Sequence, residues 1–328
     1  MSDTSAPTTP TEPVRRVHVF GDRWLPYVSD ATLARFDGRE LVVLPDDAAF
    51  LAAIDEIEVL AGFGMDSTHW AEATSLRMVQ WFGAGCDQLL ASPDLADDVV
   101  IANASGTHEP ALPEFVIASL FTLAYRFPAI LERQATHTWR QDLPLPPLEG
   151  RTVCIVGLGT IGASIARRCL ALGMRVVGVR HSGAPVDGVD LVVTPDRIDE
   201  VVDGADALVA VAPLTPETED MIGRAQLAAL APGALVVDVG RGGIMDLDAL
   251  TDLLDSGHLG GAVVDVFPEE PLPTESPLWD VDKLIVTSHL AGLSREWTDR
   301  LFSILADSVD ALDAGEDPPA VVDRARGY

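Results

Sequence analysis

A chain of 328 residues with 48% hydrophobic content is long enough for two domains, each burying its own core. Its formal charge of −29, from 51 acidic against 22 basic residues, opposes a nucleic-acid backbone or an anionic membrane as partner, and no apolar run approaches the ~18 residues of a membrane span. Lys283 is the single lysine, which suits either a saline habitat or an arginine-favouring codon bias.

The opening MSDTSAPTTPTEP has neither a basic n-region nor an apolar h-region. Residues 1–13 therefore read as a disordered polar tail without a signal peptide, and the cytoplasm is the expected location. Arg15 to Phe20 is the first strand candidate, followed by a Gly-Asp turn and a helix-like Ser29 to Phe36. Strands are predicted at Leu41 to Leu44 and Ile57 to Leu60, around a helix over Asp46 to Ile54, then at Met78 to Phe82 and Val99 to Ala102. Alternation of this kind predicts a small parallel α/β domain with ligand loops at strand C-termini. Two loops stand out, Gly62-Phe63-Gly64-Met65 and Phe82-Gly83-Ala84-Gly85-Cys86. Bare amides in such loops form a nest for a carboxylate, although plain turns use the same residues. Phe63 and Met65 are candidates for the wall of a side-chain pocket. Pro113 to Arg126 is apolar on all sides and reads as a buried connecting helix, and Leu143 to Gly150 (LPLPPLEG) as a stiff linker. Trp139, just before it, reads as a packed surface aromatic or as a side chain offered to a partner subunit.

Arg151 to Ser182, RTVCIVGLGTIGASIARRCLALGMRVVGVRHS, then reads as strand, glycine turn, helix and second strand. Thr152 to Val156 is a buried-strand run. Gly157, Gly159 and Gly162 have the G-x-G-x-x-G spacing: the first allows the turn, the second lets the backbone approach a pyrophosphate, and the third lets the helix pack on the sheet. The helix start adds free N–H groups and its dipole, an anion site. Further strands are predicted at Leu191 to Val193, Ala207 to Val211, Gly233 to Val239, Gly261 to Val266 and Leu284 to Thr287, with helices over Ala225 to Leu230 and Leu247 to Asp255. That is a Rossmann pattern. The amphipathic helix Ser294 to Leu312 is expected to return to the first domain. Cys86, Cys154 and Cys169 lack metal-ligand spacing and read as buried free thiols, so neither a metal site nor a disulfide is expected.

Three charged residues follow predicted strands in this half: Arg241 in VVDVGRGG, Glu270 in GAVVDVFPEEPLP and His289 in LIVTSHLAG. Ligands of open α/β sheets bind outside such strand ends. An arginine forks onto a carboxylate, a histidine exchanges protons near neutrality, and a carboxylate beside it holds the imidazole. Together the three suit a hydroxyl–carbonyl interconversion on an acid, while each alone also suits a surface charge or a packed histidine.

With GLGTIG at 157–162, PLTPETEDMI at 213–222, GRGGIMDLDAL at 240–250, GAVVDVFPEEPLP at 261–273 and SHLAG at 288–292, the chain resembles the D-isomer-specific 2-hydroxyacid dehydrogenases from about Arg15 onward. The resemblance implies an α/β protein in which a Rossmann NAD(P)-binding domain, residues 109–292, is inserted in a smaller flavodoxin-like substrate domain, residues 14–108 plus 293–328. It implies that Arg241 grips the substrate, His289 is the general acid/base and Glu270 its partner. It implies a carboxylate site at Gly83, Ala84 and Gly85, with Phe63, Gly64 and Met65 on the other substrate loop. Cofactor contacts are implied for Gly157, Leu158, Gly159, Thr160, Ile161, Gly162, Pro213, Thr218, Val239, Gly240, Asp265, His289, Ala291 and Gly292, with Asp265 on the nicotinamide carboxamide. A homodimer through the nucleotide domains is also implied. Three positions depart from the family pattern: Asp238 where asparagine is frequent, Ser288 where proline is common, and Phe115 where histidine usually follows the glutamate.

An NAD-preferring site needs an acid about 20 residues beyond the glycines for the ribose 2′-OH. Arg180, His181 and Ser182 stand there instead, a cation and donors suited to a 2′-phosphate, which predicts NADP(H) over NAD(H). The expected reaction is reduction of glyoxylate, hydroxypyruvate or a related 2-oxo acid. A phosphite- or phosphoglycerate-type dehydrogenase, or a cofactor-sensing protein similar to the corepressor relatives, shares the scaffold.

Overall fold

The computed structural model describes residues 12–324 except Ala84, Pro93 and Arg295. It divides into two units, one running to Thr107 and resuming at Ser294, the other spanning His108–Leu293. The expected tail lies almost wholly outside the described residues.

The first unit holds five strands, β1 (Arg16–Phe20), β2 (Glu40–Leu44), β3 (Val59–Gly62), β4 (Met78–Trp81) and β5 (Val100–Ala102), with helices α1 (Asp30–Leu33), α2 (Asp47–Ala53) and α3 (Asp87–Leu90) among the connections. All pairs are parallel, in the order β2-β1-β3-β4-β5, the flavodoxin-like arrangement. β3 and β4 are buried along their whole length, as expected of central parallel strands covered on both faces. Helix starts are set by side-chain caps: Ser29 accepts from the Thr32 N–H and Asp46 from the Ala49 N–H.

The second unit begins with α4 (Ala111–Ala124) and α5 (Phe127–Ala135). It continues through β6 (Thr152–Val156), α6 (Thr160–Ala171), β7 (Arg175–Val179), β8 (Leu191–Val193), α7 (Asp199–Val202), β9 (Ala207–Ala210), α8 (Arg224–Ala229), β10 (Ala234–Asp238), α9 (Leu247–Asp255), β11 (Leu259–Val264) and β12 (Leu284–Val286). The sheet order β12-β11-β10-β9-β6-β7-β8 reverses direction at β6, which is the Rossmann order with a seventh strand. The apolar α4 covers one face through Leu112, Val116, Leu120 and Leu123, packed with Val153, Ile155, Val176 and Val237. Pro113 sits in its first turn, where a missing N–H breaks no helical bond. α5 was not expected from the sequence: Arg126 turns the chain with a left-handed φ of 50°, and Pro128 then opens a new helix.

α10 (Trp297–Ala314) returns to the first unit as expected. Trp297, Leu301, Phe302, Leu305 and Val309 bury against Val17, Val19, Met78 and Phe82, each such side chain contributing about 1.5–3 kcal/mol. One buried polar pair is matched: Ser308 Oγ donates to Gln80 Oε1 at 2.7 Å, and Gln80 Nε2 donates to the Asn103 carbonyl at 2.9 Å. All three cysteines are buried and none is in a disulfide among the described residues, and burial pushes the Cys154 and Cys169 thiols up to about 12, which makes them poor nucleophiles. No single helix among the described residues is long and apolar enough to cross a membrane.

Candidate active site

The nucleotide turn is built as its glycines require. Gly157 has φ +109°, and a Cβ there would lie 2.6 Å from the Ala212 nitrogen, while one at Gly162 would overlap the Gly157 carbonyl oxygen. Gly159 is different: nothing lies within 4 Å of its Cβ position, so its backbone is open to a ligand. Leu158 is buried, its N–H tied to the Val179 carbonyl at 2.8 Å, and the first-turn amides of α6, at Thr160, Ile161 and Gly162, have no acceptor within the helix. The turn thus fits the pyrophosphate of a dinucleotide.

At the end of β7, Arg180 is half-buried, and Ser182 Oγ accepts from the Ala184 N–H at 3.3 Å. His181 Nδ1 lies 2.9 Å from Glu217 Oε2, an exposed pair. The acid missing from the strand end is therefore present in space, brought there by the 213–222 loop. That loop is fastened internally by Thr218, whose Oγ1 donates to the Pro213 carbonyl at 2.7 Å and accepts from the Thr215 N–H at 2.8 Å. Thr218 is buried, so its hydroxyl serves loop shape.

The three reacting candidates lie on the loops beyond β10, β11 and β12, and two of them, Glu270 and His289, are in contact. Glu270 Oε1 accepts from the Phe267 N–H at 2.9 Å, and its Oε2 lies 2.7 Å from His289 Nδ1. His289 is about half exposed (48%), so its Nε2 edge is the one left for a ligand. Arg241 is half-buried and its Nη1 donates to the Gly240 carbonyl at 2.8 Å. Its loop is pressed onto the glutamate loop at Gly242, where a Cβ would overlap the Phe267 carbonyl group and the Pro268 nitrogen. Gly242→Ala is accordingly expected to cost about 1–3 kcal/mol of stability and to lower activity by separating Arg241 from the Glu270–His289 pair. Unfolding midpoints and steady-state kinetics read the two effects.

Asp265 fastens the histidine loop. It is buried, and its carboxylate accepts from Thr287 Oγ1 at 2.5 Å, the Leu290 N–H at 3.0 Å and the Ala291 N–H at 2.9 Å, while its main-chain carbonyl accepts from the His289 N–H at 2.9 Å. These bonds hold His289 at its left-handed φ of 51°. Val239 is buried, and the Gly240 N–H donates to Asp238 Oδ1 at 3.0 Å. Ser288 and Phe115, two of the departures from the family pattern, have no role that the geometry explains.

His108 escaped the sequence reading because nothing local marks it. Its Nδ1 lies 3.4 Å from the Gly292 carbonyl, so close to that residue that a Cβ at Gly292 would overlap the imidazole. Burial lowers its pKa, partly offset by the Gly292 carbonyl, with the nearby Arg241 and His289 charges adding to the lowering. A neutral imidazole therefore stands beside the arginine and the histidine.

The substrate-loop candidates belong to the first unit. Phe63 is half-buried, edge-on to Trp24 at 5.4 Å between centroids and beneath the Arg23 guanidinium at 5.6 Å. Gly64 is open, with φ +81° and nothing within 4 Å of its Cβ position. Met65 is a correction: it is 7% exposed and packs among Leu44, Phe50, Leu60 and Trp70, so it belongs to the core and not to a pocket wall. Its neighbours turn it inward, which a loop read one-dimensionally does not reveal. Gly83 and Gly85 are half-buried at the end of β4, and Ala84 lies outside the described residues.

A family model, D-isomer specific 2-hydroxyacid dehydrogenase, NAD binding domain, matches residues 117–291, more than half of the chain. The chain is 33% identical over 287 residues to D-3-phosphoglycerate dehydrogenase of Mycobacterium tuberculosis, covering 86% of this chain and 54% of that protein. It thus spans about half the length of the curated relatives it matches first. It is 34% identical over 242 residues to (S)-sulfolactate dehydrogenase of Chromohalobacter salexigens, covering 73% of this chain and 78% of the relative. Among solved structures, the NADPH-dependent glyoxylate/hydroxypyruvate reductase of Sinorhizobium meliloti, in complex with NADP and sulfate, superposes with a TM-score of 0.86 at 30% identity, covering 96% of this chain and 100% of that one. By the family match, the two sheet orders and the turn that fits a dinucleotide, this chain belongs to the D-isomer specific 2-hydroxyacid dehydrogenases.

Proposed function

We propose that the chain is an NADPH-preferring reductase of a small 2-oxo acid, such as glyoxylate, hydroxypyruvate or a related acid, yielding the D-2-hydroxy acid, with NADH as the poorer cofactor. The observation that carries this reading is the Glu270–His289 pair. Glu270 is fixed on one oxygen by the Phe267 N–H and meets Nδ1 with the other, leaving Nε2 to exchange a proton. Bound NADP(H) supplies the hydride. As the carbonyl carbon is reduced its oxygen needs a proton, which the His289 imidazolium gives from Nε2, its charge stabilised by Glu270 until then. Arg241 forks onto the carboxylate and carbonyl oxygen.

Residues 157–162 hold the pyrophosphate, and Pro213, Thr218, Val239, Gly240, Asp265, Ala291 and Gly292 border the rest of the cofactor. Arg180, with His181 and Ser182, takes the 2′-phosphate, and Glu217 tempers that site by neutralising His181. Exposed Phe127, Leu131, Trp139 and Leu145 on the second unit supply an apolar surface, which with the family resemblance supports a homodimer. The acidic composition disfavours a nucleic-acid backbone or an anionic membrane as partner.

A panel of 2-oxo acids with NADPH and NADH, followed at the nicotinamide absorbance, tests the reading. Turnover of at least one acid is expected, faster with NADPH. Arg180→Ala should lower kcat/KM for NADPH by roughly 10- to 100-fold, the loss of a charge-assisted bond, and spare NADH; Glu217→Gln should favour NADPH further. NADH efficiency equal to that of NADPH in the wild type would overturn the cofactor assignment, and turnover of no acid would overturn the reaction.

A further inference from the structure

Two carboxyls are buried where the arginine loop and the histidine loop leave the sheet, and they are unequally supplied with donors. Asp265 and Asp238 are each 1% exposed. Asp265 accepts three hydrogen bonds, from Thr287 Oγ1 and the Leu290 and Ala291 N–H groups. Asp238 accepts one, from the Gly240 N–H. The residues are joined through their main chains, the Asp265 N–H donating to the Asp238 carbonyl at 2.9 Å across adjacent strands. Burial disfavours the ionised form of each, and the carboxyl with fewer donors holds its proton the more strongly.

We propose that Asp238 is a positioning residue that works as a neutral carboxylic acid at the root of the Arg241 loop, next in the sheet to the Asp265 that fastens the histidine loop. Asp238 ends β10 and bonds the first turn of the arginine loop; Asp265 follows β11 and bonds the histidine loop. A negative charge at Asp238 would be buried with a single N–H donor, and relieving it means drawing the root of the Arg241 loop toward water, so that loop keeps its place while Asp238 holds its proton.

The Gly240 N–H favours the ion, and the neighbouring strands add no charge that would. β9 offers only the apolar Ala207–Ala210 to β10, and β11 carries no ionisable residue before Asp265. Glu114 on α4, Arg224 on α8 and Asp248, Asp252 and Asp255 on α9 are all exposed, and Arg224 is paired with Asp252. Half-buried Arg241, on the same loop, directs Nη1 to the Gly240 carbonyl. Burial, opposed by the Gly240 N–H and reinforced by the Asp265 charge, pushes the Asp238 carboxyl up to about 7.

Asparagine is a neutral isostere, so Asp238→Asn should fold and keep the Arg241 loop in place at every pH; Asp238→Ser is a second neutral variant. Infrared difference spectra of the full-length protein, recorded about one pH unit either side of the pKa, read the proton directly. A neutral carboxylic-acid carbonyl band is expected on the acid side of the wild type, fading on the alkaline side and missing from both variants. The functional part rests on the proposed roles of Arg241 and His289 and is read from kcat/KM against pH. The wild type should lose activity between those pH values by several-fold more than Asp238→Asn, in which only the His289 limb remains. Absence of the band from the wild type overturns the proton assignment, and superimposable pH profiles overturn the positioning role. Because the infrared measurement needs no substrate, failure of the proposed reaction is distinguishable from failure of this inference.

Discussion

His289→Asn is expected to lower kcat for the best 2-oxo acid by on the order of 10²–10⁴, the range that removal of a general acid commands, while NADPH binding followed by fluorescence is nearly unchanged. Asparagine is the informative replacement because position 289 has φ +51°, a left-handed conformation that asparagine tolerates better than most residues. The Asp265 bonds to the Leu290 and Ala291 N–H groups are made by main chain, so they survive the change. What is lost is the proton on Nε2 and the partner of Glu270. Glu270→Gln should be milder, about 10-fold, because an amide can still meet Nδ1 but supplies no charge to stabilise the imidazolium. An Asn variant with kcat close to wild type would remove His289 from the chemistry.

The parts of this site that lie close together in the chain were legible from it. The βαβ unit announced itself because the strand run, three spaced glycines and a helix pattern agree within the 32 residues Arg151–Ser182, and β6 and β7 have the bounds expected from the sequence. Arg241, Glu270 and His289 stood out because each follows a strand end in the sequence, and the Glu270–His289 contact is formed in the structure. What was not legible depends on partners far apart in sequence. Glu217 meets His181 across 36 residues, so the missing acid at the β7 end seemed simply absent. His108 stands beside residues more than 100 positions downstream, and no periodicity marks a histidine ahead of a helix. Asp265 resembled a cofactor ligand, and its side chain also accepts three bonds from the histidine loop, 22 to 26 residues downstream. Met65 failed as a pocket residue for a similar reason: alternation does not extend through an irregular loop, so only packing decides which way it turns.

The largest effect on stability is expected at Asp238. Its carboxyl stands at about 7 in the folded chain against an ordinary 3.8, so the sign is the reverse of that for a salt-bridged acid. Below about pH 4 both folded and unfolded states hold the proton and the residue adds no pH dependence. Between about 4 and 7 the unfolded chain loses its proton while the folded chain keeps it, and stability falls as pH rises, by roughly 4 kcal/mol in total. Above about 7 both states are ionised and the loss levels off. Asp238→Asn removes this slope, since the amide does not titrate and still offers an oxygen to the Gly240 N–H. Urea unfolding of the two proteins should therefore give midpoints that converge at acid pH and separate toward pH 8, with the variant the more stable. The many exposed acids add their own pH dependence, but they are common to both proteins and cancel in the difference. A separation that stays constant from acid to alkaline pH would mean that Asp238 is already ionised in the folded chain, with its charge accommodated beside Asp265.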